Sequence, residues 1–196
     1  MDRSSPRTAP DVTARKEEAA LANPVYLAIA DDAVIRKAVA QGIPGTAMPA
    51  FARSAGGMLT DAQIEVLTKE IRARWSRPGI LDAASLPPYA PKLAGDAQRG
   101  EATYKTFCES CHGAAGRGGP KASALSDGSF LALVSDQSLR TIVIAGRPEL
   151  GAPDWRGNLP GRPMSDQEIT DIVAWLVSRR VQNPGRPYSV SNYSQH

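Results

Sequence analysis

The sequence predicts an all-α fold made of two tandem helical domains, the first of them incomplete, and three observations carry that prediction. Two segments join a capping box to an apolar stripe of helical period. Thr60-x-x-Gln63 leads into Ile64, Leu67 and Ile71, and Ser165-x-x-Glu168 leads into Ile169, Ile172, Val173 and Leu176. The chain also repeats itself: a shift of 104 residues lays 21–51 over 125–155 without a gap. Finally, no βαβ pattern is visible anywhere in its 196 residues.

Residues 1–16 are polar and carry prolines but no apolar h-region, so they read as an unassigned segment with no export signal. From 17 to 75 runs the first copy of the repeat. In it Leu27 matches Leu131, Asp32 matches Asp136, Gly42 matches Gly146, Pro44 matches Pro148 and Pro49 matches Pro153. In each copy a short helix begins after an Asp and stops at a Gly followed two residues later by Pro. A loop and the capped amphipathic helix complete the copy. Residues 76–94 are rich in Pro and Ala and read as a linker strapped over the surface. The second domain spans 95–181. It opens with a helix whose stripe is Ala97, Gly100, Tyr104 and Phe107. Arg179 and Arg180 close its last helix, where cations offset the helix dipole. Trp75 and Trp175 lie on the final helices and read as packing residues. The tail, 182–196, has no apolar period and reads as loose.

A net charge of +3 with no dense Lys/Arg run argues against a nucleic-acid partner. No apolar run approaches the roughly 20 residues that span a bilayer. No Ser-His-Asp set, phosphate loop or paired carboxylates suggest an enzyme active site.

The chemistry concentrates in Phe107-Cys108-Glu109-Ser110-Cys111-His112-Gly113. The two cysteines of the whole chain stand three apart and one of its two histidines follows directly. Positions i and i+3 of a helical turn face the same way, so both thiols can reach one flat object. C-x-x-C-H therefore reads as attachment of a c-type haem, with His112 beneath the iron. A thioredoxin-like redox pair, a zinc site completed by His196, and a plain disulfide are the competing readings.

With the Gly116–Pro120 loop that follows, the run 95–180 resembles a class I cytochrome c domain. The resemblance implies two tandem cytochrome-c-like domains. It implies that Cys108 and Cys111 hold haem c covalently, that His112 is the proximal iron ligand, and that Gly100 lets the last helix cross closely. It also implies that Pro120 supplies the carbonyl for the other histidine nitrogen. Subtracting 104 from Cys108, Cys111 and His112 gives Ser4, Arg7 and Thr8, so the first copy reads as a domain without a haem motif. That motif reads as lost by truncation, a misplaced start or decay, leaving one haem per chain.

In the resembled family a Met before the last helix is the sixth iron ligand. The first copy carries such a residue, Met48, as a relic of the ligand loop; in the second copy the same offset lands on Ala152. Met164 is the other candidate for the distal ligand, although its place before the Ser165 cap reads better as a hydrophobic staple against Ile169, as Leu59 does against Ile64. Met58 reads as a surface or staple residue and His196 as solvated; a lysine or water is the remaining sixth ligand. Arg140, Arg147 and Trp155 are candidates for the haem pocket, the arginines toward propionates and Trp155, matched by Phe51, over a haem edge. The expected function is single-electron transfer between redox partners outside the cytoplasm, as an electron carrier or a subunit of a larger, membrane-bound respiratory or dehydrogenase complex. The alternatives are a haem protein whose open sixth site binds a small gas or peroxide, and a decayed fragment without haem.

Overall fold

The structure, a computed structural model, describes residues 22–44, 47–79, 81 and 86–181. The segments 1–16 and 182–196, with His196, lie outside the described residues.

The described residues are helical, as the sequence patterning predicts. The first copy holds α1 (Pro24–Ile29), α2 (Asp32–Gln41) and α3 (Asp61–Trp75). The second holds α4 (Ala97–Phe107), α5 (Glu109–His112), α6 (Gly128–Leu133), α7 (Asp136–Ala145) and α8 (Asp166–Val177). Helices α6 and α7 repeat the bounds of α1 and α2 at the offset of 104 residues. Local signals account for most of these ends. Asn23, Asp31, Asp127 and Ser135 accept hydrogen bonds from the first free N–H groups of their helices. Thr60 and Ser165 both form complete capping boxes. Helices α2 and α7 stop at Gly42 and Gly146, which take φ of 71° and 67°. A side chain there would also strike the loop: an added Cβ on Gly146 would lie 2.5 Å from the Pro153 carbonyl.

The second copy is organised by the crossing of α4 over α8. At the crossing an added Cβ on Gly100 would stand 2.0 Å from the Asp171 carbonyl oxygen and 2.7 Å from Trp175 Cβ. Only glycine lets the two backbones approach so closely. Tyr104, one turn along, then stacks on Trp175 with ring centroids 4.3 Å apart. Around this contact the main core gathers Phe107, Leu131, Leu139, Ile144, Trp155, Met164, Ile169, Ile172 and Leu176. Asp171, buried on α8, binds the Asp96 N–H at 2.8 Å and the Arg99 guanidinium at 2.8 and 3.0 Å, which pins the start of α4 to α8.

The first copy has two smaller clusters, Leu27, Ala30, Ile35 and Ile71, and Val39, Ala52 and Ile64. It is also stitched to the second. Asn23 Nδ2 donates to the last carbonyl of α7, Ala145, at 3.2 Å, and Val25 is buried in the main core.

Two arginines do jobs the sequence reading did not foresee. Arg180 does not offset the end of α8. Its guanidinium reaches back to the C-terminus of α6, donating to Leu131 O at 2.7 Å and Val134 O at 2.6 Å, and pairs with Asp136. Arg72 does the same in the first copy, binding Leu27 O, Ala30 O and Asp32. These acceptors are the same three positions shifted by 104 residues, while the arginines lie 108 apart.

Candidate functional site

The C-x-x-C-H motif begins where α4 ends. Cys108 closes α4 with its N–H on Tyr104 O at 2.8 Å, and opens the single turn α5 by accepting from Cys111 and His112 N–H. Both thiols are free, Cys108 half-buried against the main core and Cys111 exposed. Burial, then the neighbouring Cys111, pushes the Cys108 thiol up to about 12. Among the described residues no three or more Cys, His, Asp or Glu gather around a point, and His196, on which the zinc reading depends, lies outside them.

The motif is held from two sides. The Tyr104 hydroxyl donates to Gly113 O at 2.6 Å, and burial, then Cys108, raises its pKa to about 12, so it stays a protonated donor. On the other side, the loop after the motif folds back on itself through Gly118 N–H to His112 O at 2.8 Å. His112 Nδ1 lies 2.9 Å from the Ser123 carbonyl. A carbonyl only accepts, so Nδ1 is the donor, and in the neutral ring that tautomer leaves the lone pair on Nε2.

That contact corrects the expectation for Pro120. The carbonyl on the histidine ring belongs to Ser123. Pro120 sits exposed at the corner of a turn closed by Gly119 N–H to Ala122 O, 2.9 Å, and that turn delivers Ser123 to the imidazole. Proline's locked φ shapes such a corner but does not decide which carbonyl leaves it facing inward. No sequence signal marked Ser123.

Arg140 is a second correction. It is 2 % exposed, and its guanidinium is spent on Pro88 O, Tyr89 O, Thr170 Oγ1 and Asp166. It ties the 86–94 strap to α7 and α8, helped by Gln137 on Tyr89 O. A buried arginine with these partners belongs to the packing of the strap.

Arg147 and Ala152 close a small hairpin by exchanging both backbone hydrogen bonds, at 2.9 and 3.0 Å, and the Arg147 side chain pairs with Glu149. Trp155 is fully buried in the core against which Cys108 packs, whereas its counterpart Phe51 is 39 % exposed. Met164 lies in the same core, 3 % exposed, with its N–H on Trp155 O at 2.9 Å. Met48 is half-buried beside Val39, Ala52 and Ile64 in the first copy, and Met58 is on the surface. The arrangement therefore offers two thiols on one helical turn, an imidazole with an outward lone pair, and an apolar core beside them. That donor set fits a covalently attached haem. The sequence reading missed Ser123 and the Tyr104 hydroxyl contact, which arise from folding at separations no spacing rule encodes.

Residues 95–176 match the family model for cytochrome C oxidase, cbb3-type, subunit III. Similar solved structures include a chain of the Kuenenia stuttgartiensis reducing HAO-like protein complex, at 20 % identity and a TM-score of 0.44, covering 77 % of this chain and 73 % of that one. Another is the thiosulfate dehydrogenase of Marichromatium purpuratum, at 21 % identity and a TM-score of 0.31, covering 69 % of this chain and 31 % of that one. No curated protein matches the chain in sequence.

Proposed function

We propose that residues 95–176, which match the cbb3-type subunit III family model, form a class I cytochrome c domain, and that the chain is a single-electron carrier holding one covalent haem c. The observation that carries the proposal is the pairing of His112 Nδ1 with Ser123 O beside the two free thiols. A metal-bound histidine needs such an acceptor to set its tautomer and raise its basicity. Cys108 and Cys111 would form the thioethers and His112 Nε2 would bind iron. Haem iron, when bound, supplies a one-electron ferric/ferrous couple whose potential responds to axial ligands, burial and nearby charge. The chain's own part is to orient the imidazole through Ser123 and Tyr104 and to keep water from one side with Trp155, Phe107 and Leu125. Since the chain has only two cysteines, one haem is expected.

In this reading the first copy, 17–75, is a cytochrome-c-like unit without a haem motif, Met48 is a relic of its ligand loop, and 76–94 is the linker. The haem attachment this reading requires favours a site of action outside the cytoplasm, and the proposed partners are other redox proteins, among them a membrane-bound respiratory or dehydrogenase complex. Among the described residues no helix is long and apolar enough to cross a membrane.

The test is the haem content of the full chain, expressed with an export signal and the haem-attachment machinery and measured after denaturing extraction. One covalent haem per chain is expected, and none in the double variant Cys108→Ala, Cys111→Ala. Two haems, or none, in the wild type would overturn the proposal.

A further inference from the structure

We infer that, among the described residues, His112 is the one strong iron ligand, so that the far side of a bound haem would be left to a small external ligand, for which carbon monoxide serves as the probe; the inference rests on the haem reading above. It starts from the two hairpin loops. Ile43 N–H binds Met48 O at 3.1 Å, and Arg147 N–H binds Ala152 O at 2.9 Å. Both loops follow a left-handed glycine, Gly42 or Gly146, against whose Cα the far side of the loop closes. Met48 and Ala152 thus occupy one structural position. The copy without cysteines presents a thioether there, and the copy with them presents a methyl group.

The other donors of the described residues are buried, paired or carried by other segments of the chain. Met164 is 3 % exposed within the core, and its N–H on Trp155 O reproduces the bond of Leu59 N–H on Phe51 O, 2.8 Å, in the first copy. Leucine holds that place in the sister copy, so the position is filled for packing, with the sulfur incidental. The Tyr104 hydroxyl is bound to Gly113 O and its ring lies on Trp175. Lys105 is paired with Glu101 at 2.9 Å on α4. Lys121 belongs to the loop that carries Ser123, on the side of the imidazole already used. Lys37, Lys69 and Met58 belong to the first copy, and Lys92 to the strap that Arg140 holds against α7 and α8. Iron with one strong nitrogen ligand and no thioether keeps a place for an external ligand that a His/Met centre fills.

The experiment uses the full chain with covalent haem confirmed by extraction, so that a failure of attachment is recognised before the spectra are read. The ferric wild type should lack the far-red sulfur-to-iron band, and the ferrous form should bind carbon monoxide stoichiometrically. Ala152→Met should bring the band in and weaken carbon monoxide binding at least tenfold. Met164→Leu, a residue the sister copy already accepts, should alter neither. A far-red band in the wild type, or a ferrous form that does not bind carbon monoxide, overturns the inference, and loss of that band in Met164→Leu would name Met164 as the ligand. An Ala152→Met protein that folds by circular dichroism but gains no band removes Ala152 from the axial position. A chain carrying no covalent haem ends both this inference and the reading beneath it.

Discussion

Helices α3 and α8 come from the same pattern, yet they face different surroundings. Stepping by 105 residues, Ile64 and Ile71 match Ile169 and Leu176, and all four are buried. The opposite face diverges. Asp171 and Trp175, which receive α4, correspond to Val66 and Glu70 on α3, where Val66 is 60 % exposed and Glu70 pairs with Arg74 in solvent. Ile172 is fully buried, and its counterpart Leu67 is 41 % exposed. The lesson is that the two short helices, the glycine-closed loop and the arginine that caps α1 or α6 recur in both copies, with and without a haem motif. The haem motif arrives on a separate piece, α4 with α5, that docks on the other face of the last helix.

That separation can be broken most sharply at the crossing. Gly100→Val should cost about 3 kcal/mol or more, because the added atoms meet backbone and the α4–α8 spacing must open. Chemical denaturation followed by near-ultraviolet circular dichroism of the Tyr104–Trp175 pair would measure it. A loss below about 1 kcal/mol would mean that α4 does not lie where described.

The matched pair Ile172 and Leu67 sharpens the comparison at single-residue scale. Ile172→Ala should destabilise by about 2–5 kcal/mol, as buried aliphatic truncations do, and Leu67→Ala by under about 1 kcal/mol. Equal losses in a denaturation series would show that Leu67 is covered in solution.

A smaller effect separates the copies by pH. Burial works to raise the pKa of Asp171, but hydrogen bonds from Arg99, the Asp96 N–H and Gln167, with the Arg99 charge, hold it below the ordinary aspartate value. A carboxyl depressed in the folded state contributes stability above its unfolded pKa, near 3.9, and loses it as pH falls through the folded value. Stability of the wild type should therefore fall below about pH 4 more steeply than that of Asp171→Asn. Val66 stands at the matching place on α3, so no such step is expected from that side of the first copy. Parallel acid limbs for the two proteins, in urea unfolding at stepped pH, would rule out this role for Asp171.

Much of the fold was legible because its signals are local. A cap, a capping box or a left-handed glycine acts within one turn of itself, so helices α2 to α4, α7 and α8 could be placed from their neighbours in sequence, and the 104-residue shift exposed α2 and α7 as repeats. The six-residue helices α1 and α6 are too short to show a period, and the sequence reading missed them. The attachment motif was legible for the same reason: Cys108, Cys111 and His112 sit within one turn. Tertiary structure alone decided where long side chains and loop carbonyls end. Arg140 reads on paper as a propionate candidate, yet it spans to Pro88, Tyr89, Thr170 and Asp166. Arg72 and Arg180 perform one task although no single shift aligns them with their acceptors. The loop before the last helix is one residue longer in the second copy, and a flexible guanidinium reaches across a further turn. Ser123, not Pro120, meets His112 because the path of the folded loop, with Gly119 N–H on Ala122 O, decides which carbonyl faces the ring.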